Sequence, residues 1–282
     1  MTPRLVSVHG GHSGQFCNHA SDTLEEVICA YIDKGFAWVG ISEHMPPTEA
    51  RFQFPEERKA GLDPKAMAVR FGRYIQEARR LQKKYARQLE IFVGFETEAY
   101  EGALAYARQL KEAYKPDYIV GGVHHILDIP FDYGRQAYRL AVEACGGVEK
   151  LYCRYFDLQY AMLKTLQPRV VAHFDLIRLF DDSYPMRWQR PSIARRISRN
   201  LDLIHQLDLI LDFNVAALRK GAAEPYLAAP LLEQAATLNL AVVPGDDCHG
   251  VATAGQFVPQ AAATLAKAGF STDWRKPVGV IA

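Results

Sequence analysis

Leu5-Val-Ser-Val-His-Gly-Gly-His12 carries a short β-branched run straight into two histidines. The same order of events recurs along the chain. Trp38-Val-Gly-Ile-Ser42 leads into Glu43-His44, Glu90-Ile-Phe-Val-Gly-Phe95 into Glu96-Thr-Glu98, and Tyr118-Ile-Val-Gly121 into His124-His125. Val170-Val-Ala172 leads into His173-Phe-Asp175, Leu209-Ile-Leu-Asp-Phe213 into Asn214, and Leu240-Ala-Val-Val-Pro244 into Asp246-Asp-Cys-His249. Each run has the length of one strand. Longer amphipathic stretches separate them, an alternation that specifies βα units and a mainly parallel sheet. Seven such units predict one closed or nearly closed α/β barrel, with chemistry gathered where the strands end.

The intervening helices carry start and stop signals. Asp22-Thr-Leu-Glu25 reads as a capping box, and Gly35 as the left-handed residue that closes the helix. Asp63-Pro64 opens a long helix to about Tyr85, with Met67, Val69, Phe71, Ile75, Ala78 and Leu81 facing inward. Further helices fit Ala103–Ala113, Tyr138–Ala144, Glu149–Leu166, Ser192–His205, Pro230–Leu238 and Ala261–Ala268. Tyr152, Tyr155, Phe156 and Tyr160 follow helical spacing and read as core. A last apolar run, Val278–Ile281, reads as a tail strand.

Composition removes several classes of function. In 282 residues, 33 Lys and Arg face 32 Asp and Glu, so a net charge of +1 offers no field to hold duplex nucleic acid. Arg187, Arg190, Arg195, Arg196 and Arg199 cluster, but read as one solvated helix face. No apolar run reaches the roughly 18 residues a membrane span needs. The first residues lack the apolar core of a signal peptide. Five cysteines without framework spacing suit reduced thiols in a cytoplasmic protein of one domain, residues 1–282.

Of nine histidines, only His205 lies within a helix pattern; the other eight follow strands. Imidazoles and carboxylates on one rim are a donor set for Zn²⁺, Mn²⁺ or Fe²⁺. Seven of these histidines with Glu96 and Asp247 exceed the needs of one tetrahedral ion and suffice for three. The seven are His9, His12, His19, His44, His124, His173 and His249. His125, next to His124, and Glu98, two residues past Glu96, read as supporting or substrate-facing groups. Alternation turns the Cys248 sulfur away from its neighbours, and Asp246 reads as a carboxylate orienting the turn. Cys17, in the loop between His12 and His19, is a residual candidate for metal contact outside the main ligand set.

These motifs resemble the PHP (polymerase and histidinol-phosphatase) superfamily over about Val6 to Gly250. Val8-His-Gly-Gly-His-Ser13 is similar to its His-x-His-Ser motif, and Ile41-Ser-Glu-His44 to its Thr-Asp-His or Thr-Glu-His motif. Gly94-Phe-Glu96, Gly122-Val-His124, Ala172-His-Phe-Asp175 and Asp246-Asp-Cys-His249 are similar to the later ones. His44-Met-Pro-Pro, Phe54-Pro-Glu-Glu, Val123-His-His125, Pro130-Phe-Asp132, His173-Phe-Asp-Leu-Ile-Arg178, Ala217-Leu-Arg219 and Glu224-Pro-Tyr226 resemble the histidinol-phosphatase branch.

The resemblance implies a distorted (β/α)7 barrel with a trinuclear metal site, hydrolysing L-histidinol phosphate in histidine biosynthesis. It implies three ligand groups: His9, His12, Glu96 and Asp247; Glu96, His124 and His173; and His19, His44 and His249. Two glycines, where the family motif has one residue, separate His9 from His12; a glycine bulge can absorb the extra residue, and without one His9 is not a ligand. Glu43 receives no ligand role.

Three divalent ions with Glu96, Asp247 and a bridging hydroxide leave about +3 in the pocket, suited to a phosphomonoester dianion. The expected reaction is attack of that hydroxide on phosphorus, with catalytic roles for Glu96, Asp247 and His125. Arg178 and Arg219 are the expected phosphate contacts, with His125 and Glu98 also facing substrate. The other reading of the same motifs is a phosphoesterase or nuclease with a different phosphorylated substrate.

Overall fold

The computed structural model describes residues 3–278. The first half runs β1 (Val6–Ser7), α1 (Leu24–Asp33), β2 (Trp38–Ile41), α2 (Pro55–Lys59), α3 (Pro64–Tyr85), β3 (Glu90–Val93), α4 (Ala103–Tyr114) and β4 (Val120–Gly121). A hairpin of β5 (His125–Ile126) and β6 (Ile129–Pro130) follows, then α5 (Arg135–Cys145), α6 (Val148–Leu166) and β7 (Val170–Val171). The remainder is α7 (Tyr184–Trp188), α8 (Pro191–Gln206), β8 (Ile210–Asn214), α9 (Ala216–Arg219), α10 (Ala229–Thr237), β9 (Ala241–Gly245) and α11 (Val258–Lys267). The tail strand expected at Val278–Ile281 lies, beyond its first residue, outside the described residues.

Seven of the strands sit on the seven predicted runs. They form two parallel sheets, in order β1-β2-β3 and β4-β7-β8-β9. Parallel strands need both faces covered. The inner stretches are accordingly apolar, as in Val39, Ile41, Val93, Val170, Val171 and Leu211, and the helices cover them outside. Backbone hydrogen bonds join the sheets along both edges. Val120 N–H donates to the Phe95 carbonyl at 2.9 Å, and Val8 N–H to the Pro244 carbonyl at 2.9 Å. The Asp247 N–H also donates to the His9 carbonyl at 2.8 Å, so the first and last site loops meet.

Three local readings need correction. The capping box of α1 is Thr23 with Glu26, one residue later than predicted. Asp22 has a left-handed φ of 63°, and its carboxylate instead accepts the Val251 N–H. On α3, Val69 is 56% exposed. It sits two residues from Met67, roughly 200° around the helix from the buried stripe that Met67, Phe71, Tyr74, Ala78 and Leu81 share. The short helix α2 and the β5–β6 hairpin have no long apolar period and were not predicted. Among the described residues, no helix is long and apolar enough to cross a membrane. Tyr152, Tyr155 and Phe156 are core, as expected, but Tyr160 is only half-buried, with the Arg199 guanidinium 4.1 Å over its ring.

Candidate metal centre

Glu96 leaves the end of β3 into a buried space, and imidazoles from four other strand ends meet it. One carboxylate oxygen, Oε1, lies 2.9 Å from His173 Nε2 and 3.0 Å from His124 Nε2. The other, Oε2, lies 3.3 Å from His9 Nε2 and 3.4 Å from His44 Nδ1. Asp247, after β9, places Oδ1 3.3 Å from His12 Nε2 and 3.9 Å from His9 Nε2. His19 and His249 face each other with ring centroids 4.8 Å apart, and His19 is 5.4 Å from His44.

His9 reaches this space because the extra residue is absorbed at Gly11, whose φ is +79°. Neither glycine tolerates a side chain there. A Cβ on Gly10 would lie 2.4 Å from Asp246 Oδ1, and one on Gly11 2.9 Å from Ile41 Cγ2. Asp246 is the turn-orienting group expected, accepting from Ser7 Oγ at 2.6 Å and the Tyr31 hydroxyl at 2.9 Å. The Cys248 sulfur points away, toward Gly11 N–H and the Tyr31 hydroxyl.

The donors fit divalent ions. His9, His12 and Asp247 bring ligand atoms within 4.8 Å of one another, as do His9, Glu96 and His173, and Cys17, His19, His44 and His249. Two donors on one tetrahedral zinc sit about 3.5 Å apart. Among the described residues, the buried His12 Nε2 and His44 Nδ1 have no hydrogen-bond partner despite carboxylate oxygens 3.3–3.5 Å away. These atoms are close yet not aimed as donor and acceptor, the arrangement of lone pairs converging on a common point. An imidazole nitrogen buried without a partner is costly, and a cation would relieve it.

Two of the far ring nitrogens are also held. Asp212 Oδ2 lies 2.8 Å from His9 Nδ1 and Asp132 Oδ2 3.0 Å from His124 Nδ1, while Glu43 Oε2 stands 3.4 Å from His12 Nδ1 without a hydrogen bond. Glu43 is fixed in turn by Ser13 N–H at 2.8 Å. Such carboxylate–imidazole pairs set the tautomer and make the inner nitrogen a better ligand. Asp212→Asn is accordingly expected to weaken metal affinity by about 10–100-fold, read by chelator competition, without unfolding the chain. An unchanged affinity would remove this role.

The carboxylates also set the protonation of the ion-free site. Burial opposes charge on His12, but Asp247 and Glu43 outweigh it and raise its pKa to about 9. His9 and His124 are raised in the same way. Burial and the neighbouring imidazoles lower His19 to about 3 and His249 well below the ordinary range. Burial likewise opposes charge on Glu96, yet His9, His124 and His173 hold it well below the usual carboxylate range.

A cavity of about 350 Å³ opens onto the cluster, lined by His19, His44, His124, His173, Asp247 and His249 together with Phe54, Glu56, Asp132, Tyr133, Leu176 and Lys220. His125 and Glu98 lie buried beside it, paired at 3.1 Å, with Phe54 5.4 Å from the His125 ring. Arg219 donates to the Asp247 carbonyl at 2.7 Å. Arg178 does not line this cavity. Its guanidinium binds Asp175 at 2.8 Å and the Glu224 and Pro225 carbonyls at 3.0 and 2.6 Å, and so pins the loop before α10.

A match to the PHP domain family model spans residues 10–216. The chain belongs to the PHP domain family. Among its PHP relatives, a Schizosaccharomyces pombe protein named as a probable histidinol-phosphatase is 34% identical over 271 residues, covering 95% of this chain and 88% of the relative. The histidinol-phosphatase of Saccharomyces cerevisiae is 28% identical, covering 88% of this chain and 84% of its own length. Two solved structures share the fold. A Listeria monocytogenes protein superposes with a TM-score of 0.78 at 23% identity, covering 89% of this chain and 97% of that one. Histidinol phosphate phosphatase of Lactococcus lactis, solved with zinc, L-histidinol and phosphate, gives 0.65 at 17% identity, covering 95% of each chain.

Sequence reasoning missed Asp212, Asp132 and Lys220, and gave Glu43 no role. The signal for Asp212 was present. In Leu211-Asp-Phe-Asn214 the period of two puts Asp212 and Asn214 on one face, and Asn214 Nδ2 indeed donates to Asp212 Oδ2 at 2.9 Å. Lys220 had no such signal, because only the folded loop brings it to the cavity.

Proposed function

We propose that this PHP chain is a histidinol-phosphatase, hydrolysing L-histidinol phosphate to L-histidinol and phosphate on three divalent ions. The reading rests on one observation above the others: Glu96 stands within 3.4 Å of four imidazoles from four different strand ends. Relatives matched along most of their length carry the same activity in their names. We take the two sheets, bonded along both edges, as one closed, distorted (β/α)7 barrel domain with the ions at the C-terminal strand ends.

Charge supports three ions. Glu43, Glu96, Glu98, Asp132, Asp212 and Asp247 all touch the histidine cluster, so six carboxylates balance three divalent cations. This revises the +3 expected from ligands alone. The surplus positive charge comes instead from Lys220 on the cavity wall and Arg219 behind Asp247.

His9, His12, Asp247 and Glu96 would hold one ion, the same Glu96 with His124 and His173 a second, and His19, His44 and His249 the third. Bound there, divalent ions supply Lewis-acid charge and lower the pKa of water from 15.7 toward roughly 7. The chain's own groups do the rest. Lys220 and Arg219 draw in the phosphate dianion. Phe54 and Tyr133 give the substrate imidazole an aromatic wall, and Glu56 gives its ammonium a carboxylate. Glu98 holds the His125 ring by Nδ1 and leaves Nε2 as the group beside the cavity able to carry a proton to the leaving alkoxide.

A small phosphate ester fits this cavity better than a nucleic acid. The arginine cluster near α8 is largely paired, Arg187 with Asp181 and both Arg196 and Arg199 with Asp157. The five unpaired thiols suit a reducing, cytoplasmic setting. A phosphate-release panel with Mn²⁺ or Zn²⁺ tests the reading. Histidinol phosphate should exceed p-nitrophenyl phosphate in kcat/KM by at least about 10²-fold, the discrimination a few polar contacts supply. Preference for a short oligonucleotide would overturn it.

A further inference from the structure

We propose that Cys17 is the fourth ligand of the third ion, making that site a Cys-His₃ thiolate site unlike the other two. The proposal rests on the metal-centre reading above and adds a donor that reading does not contain. Cys17 Sγ, with one nitrogen each from His19, His44 and His249, forms a set of four donors lying within 4.8 Å of one another. The sulfur is 3.2 Å from His19 Nδ1 and 3.3 Å from His19 Nε2. Near-equal distances put the sulfur between the two ring nitrogens and on neither lone-pair axis, so a turn of the His19 ring would aim one nitrogen and the sulfur at a common ion. The separation is near the about 3.5 Å between a thiolate and an imidazole on one tetrahedral zinc.

The backbone fixes the sulfur there. Cys17 N–H donates to the Ser13 carbonyl at 2.8 Å, in the turn that also carries the Glu43-bound Ser13. The residue is 5% exposed. Phe54 packs at 6.4 and 6.5 Å from the His19 and His44 rings, an apolar wall beside the cluster.

The consequence is chemical asymmetry. The other two groups offer only imidazole and carboxylate, which suit manganese and iron as well as zinc. A thiolate favours zinc, cobalt or another softer ion. On binding, the thiol gives its proton to solvent and contributes one negative charge, the only anionic donor in this group of four.

The ion-free protein, titrated anaerobically with Co²⁺, provides the test. Thiolate-to-cobalt charge-transfer absorption should appear in the near ultraviolet as one of the bound ions fills. Cys17→Ser should abolish it while cobalt still binds at the other positions. Its weakest ion should be held less tightly by more than the roughly 10–100-fold that loss of a supporting partner costs. Cys248→Ser should keep the band. Zinc-loaded wild-type protein gives a check free of any folding defect, since X-ray absorption should then show one sulfur at about 2.3 Å among its neighbours. Bound cobalt without the band, a band that survives Cys17→Ser, or a zinc shell of nitrogen and oxygen alone would overturn thiolate ligation and leave the metal centre standing. Failure to bind cobalt at all would take both down.

Discussion

Glu96→Gln is expected to lower kcat/KM on histidinol phosphate by more than about 10³-fold, beyond the 10²–10³ that loss of one transition-state donor costs. The amide keeps the shape of the side chain and removes its charge. That charge is shared: Oε1 serves His124 and His173, and Oε2 serves His9 and His44. Among the described residues, no second carboxylate touches all four rings. Losing it should release at least one ion and loosen a second, so metal analysis should fall together with activity. Retention of a tenth of the activity with the full complement of metal would show that Glu96 is not the shared ligand.

Removing the metals should produce the second large effect, on stability. One site at a thousandfold excess of ligand over its Kd adds about 4 kcal/mol. A kilocalorie moves the melting midpoint of a chain this long by roughly 2 °C. Three such sites put the loss of Tm on chelation on the order of 20 °C.

The ion-free form should also respond to pH in a defined direction. His12 has a folded pKa of about 9, above its unfolded value near 6.5. Its stabilising contribution is therefore full below pH 6.5 and is lost as pH rises toward 9. Loading must displace that proton, so metal uptake releases acid and tightens over the same range. Scanning calorimetry of chelated and loaded protein at pH 6.5 and 9 should show the gap in Tm widening at the higher pH. A gap of a few degrees that ignores pH would mean that the ions are peripheral to the fold.

The strand-end histidines were legible because the signal is local. A β-branched run predicts a strand, and the residue just past it lands on the rim. Hence His9, His44, Glu96, His124, His173 and Asp247 could be named from sequence, and they stand within a few ångströms of one another. How the extra residue between His9 and His12 is absorbed was not readable beyond the two glycines; the fold puts the turn at Gly11, in a left-handed conformation that glycine takes at little cost.

What could not be read was pairing across the sheet. Asp212 faces inward by alternation, but its contact with His9 depends on β8 and β1 both flanking β9. Arg178 was named from its motif, but no local signal showed that the loop of Glu224 and Pro225 would fold back onto its guanidinium. Lys220 and Glu56 come from segments without period and meet only across the cavity.

The central claim is a three-ion centre that cleaves a phosphate ester. Its most direct test is a titration of ion-free protein with zinc or manganese, measuring ions bound per chain and phosphate released from histidinol phosphate on the same samples. Release should stay low through the first equivalents and reach its plateau as the third ion binds. A plateau at one ion per chain, or three bound ions with no phosphate released, would contradict it.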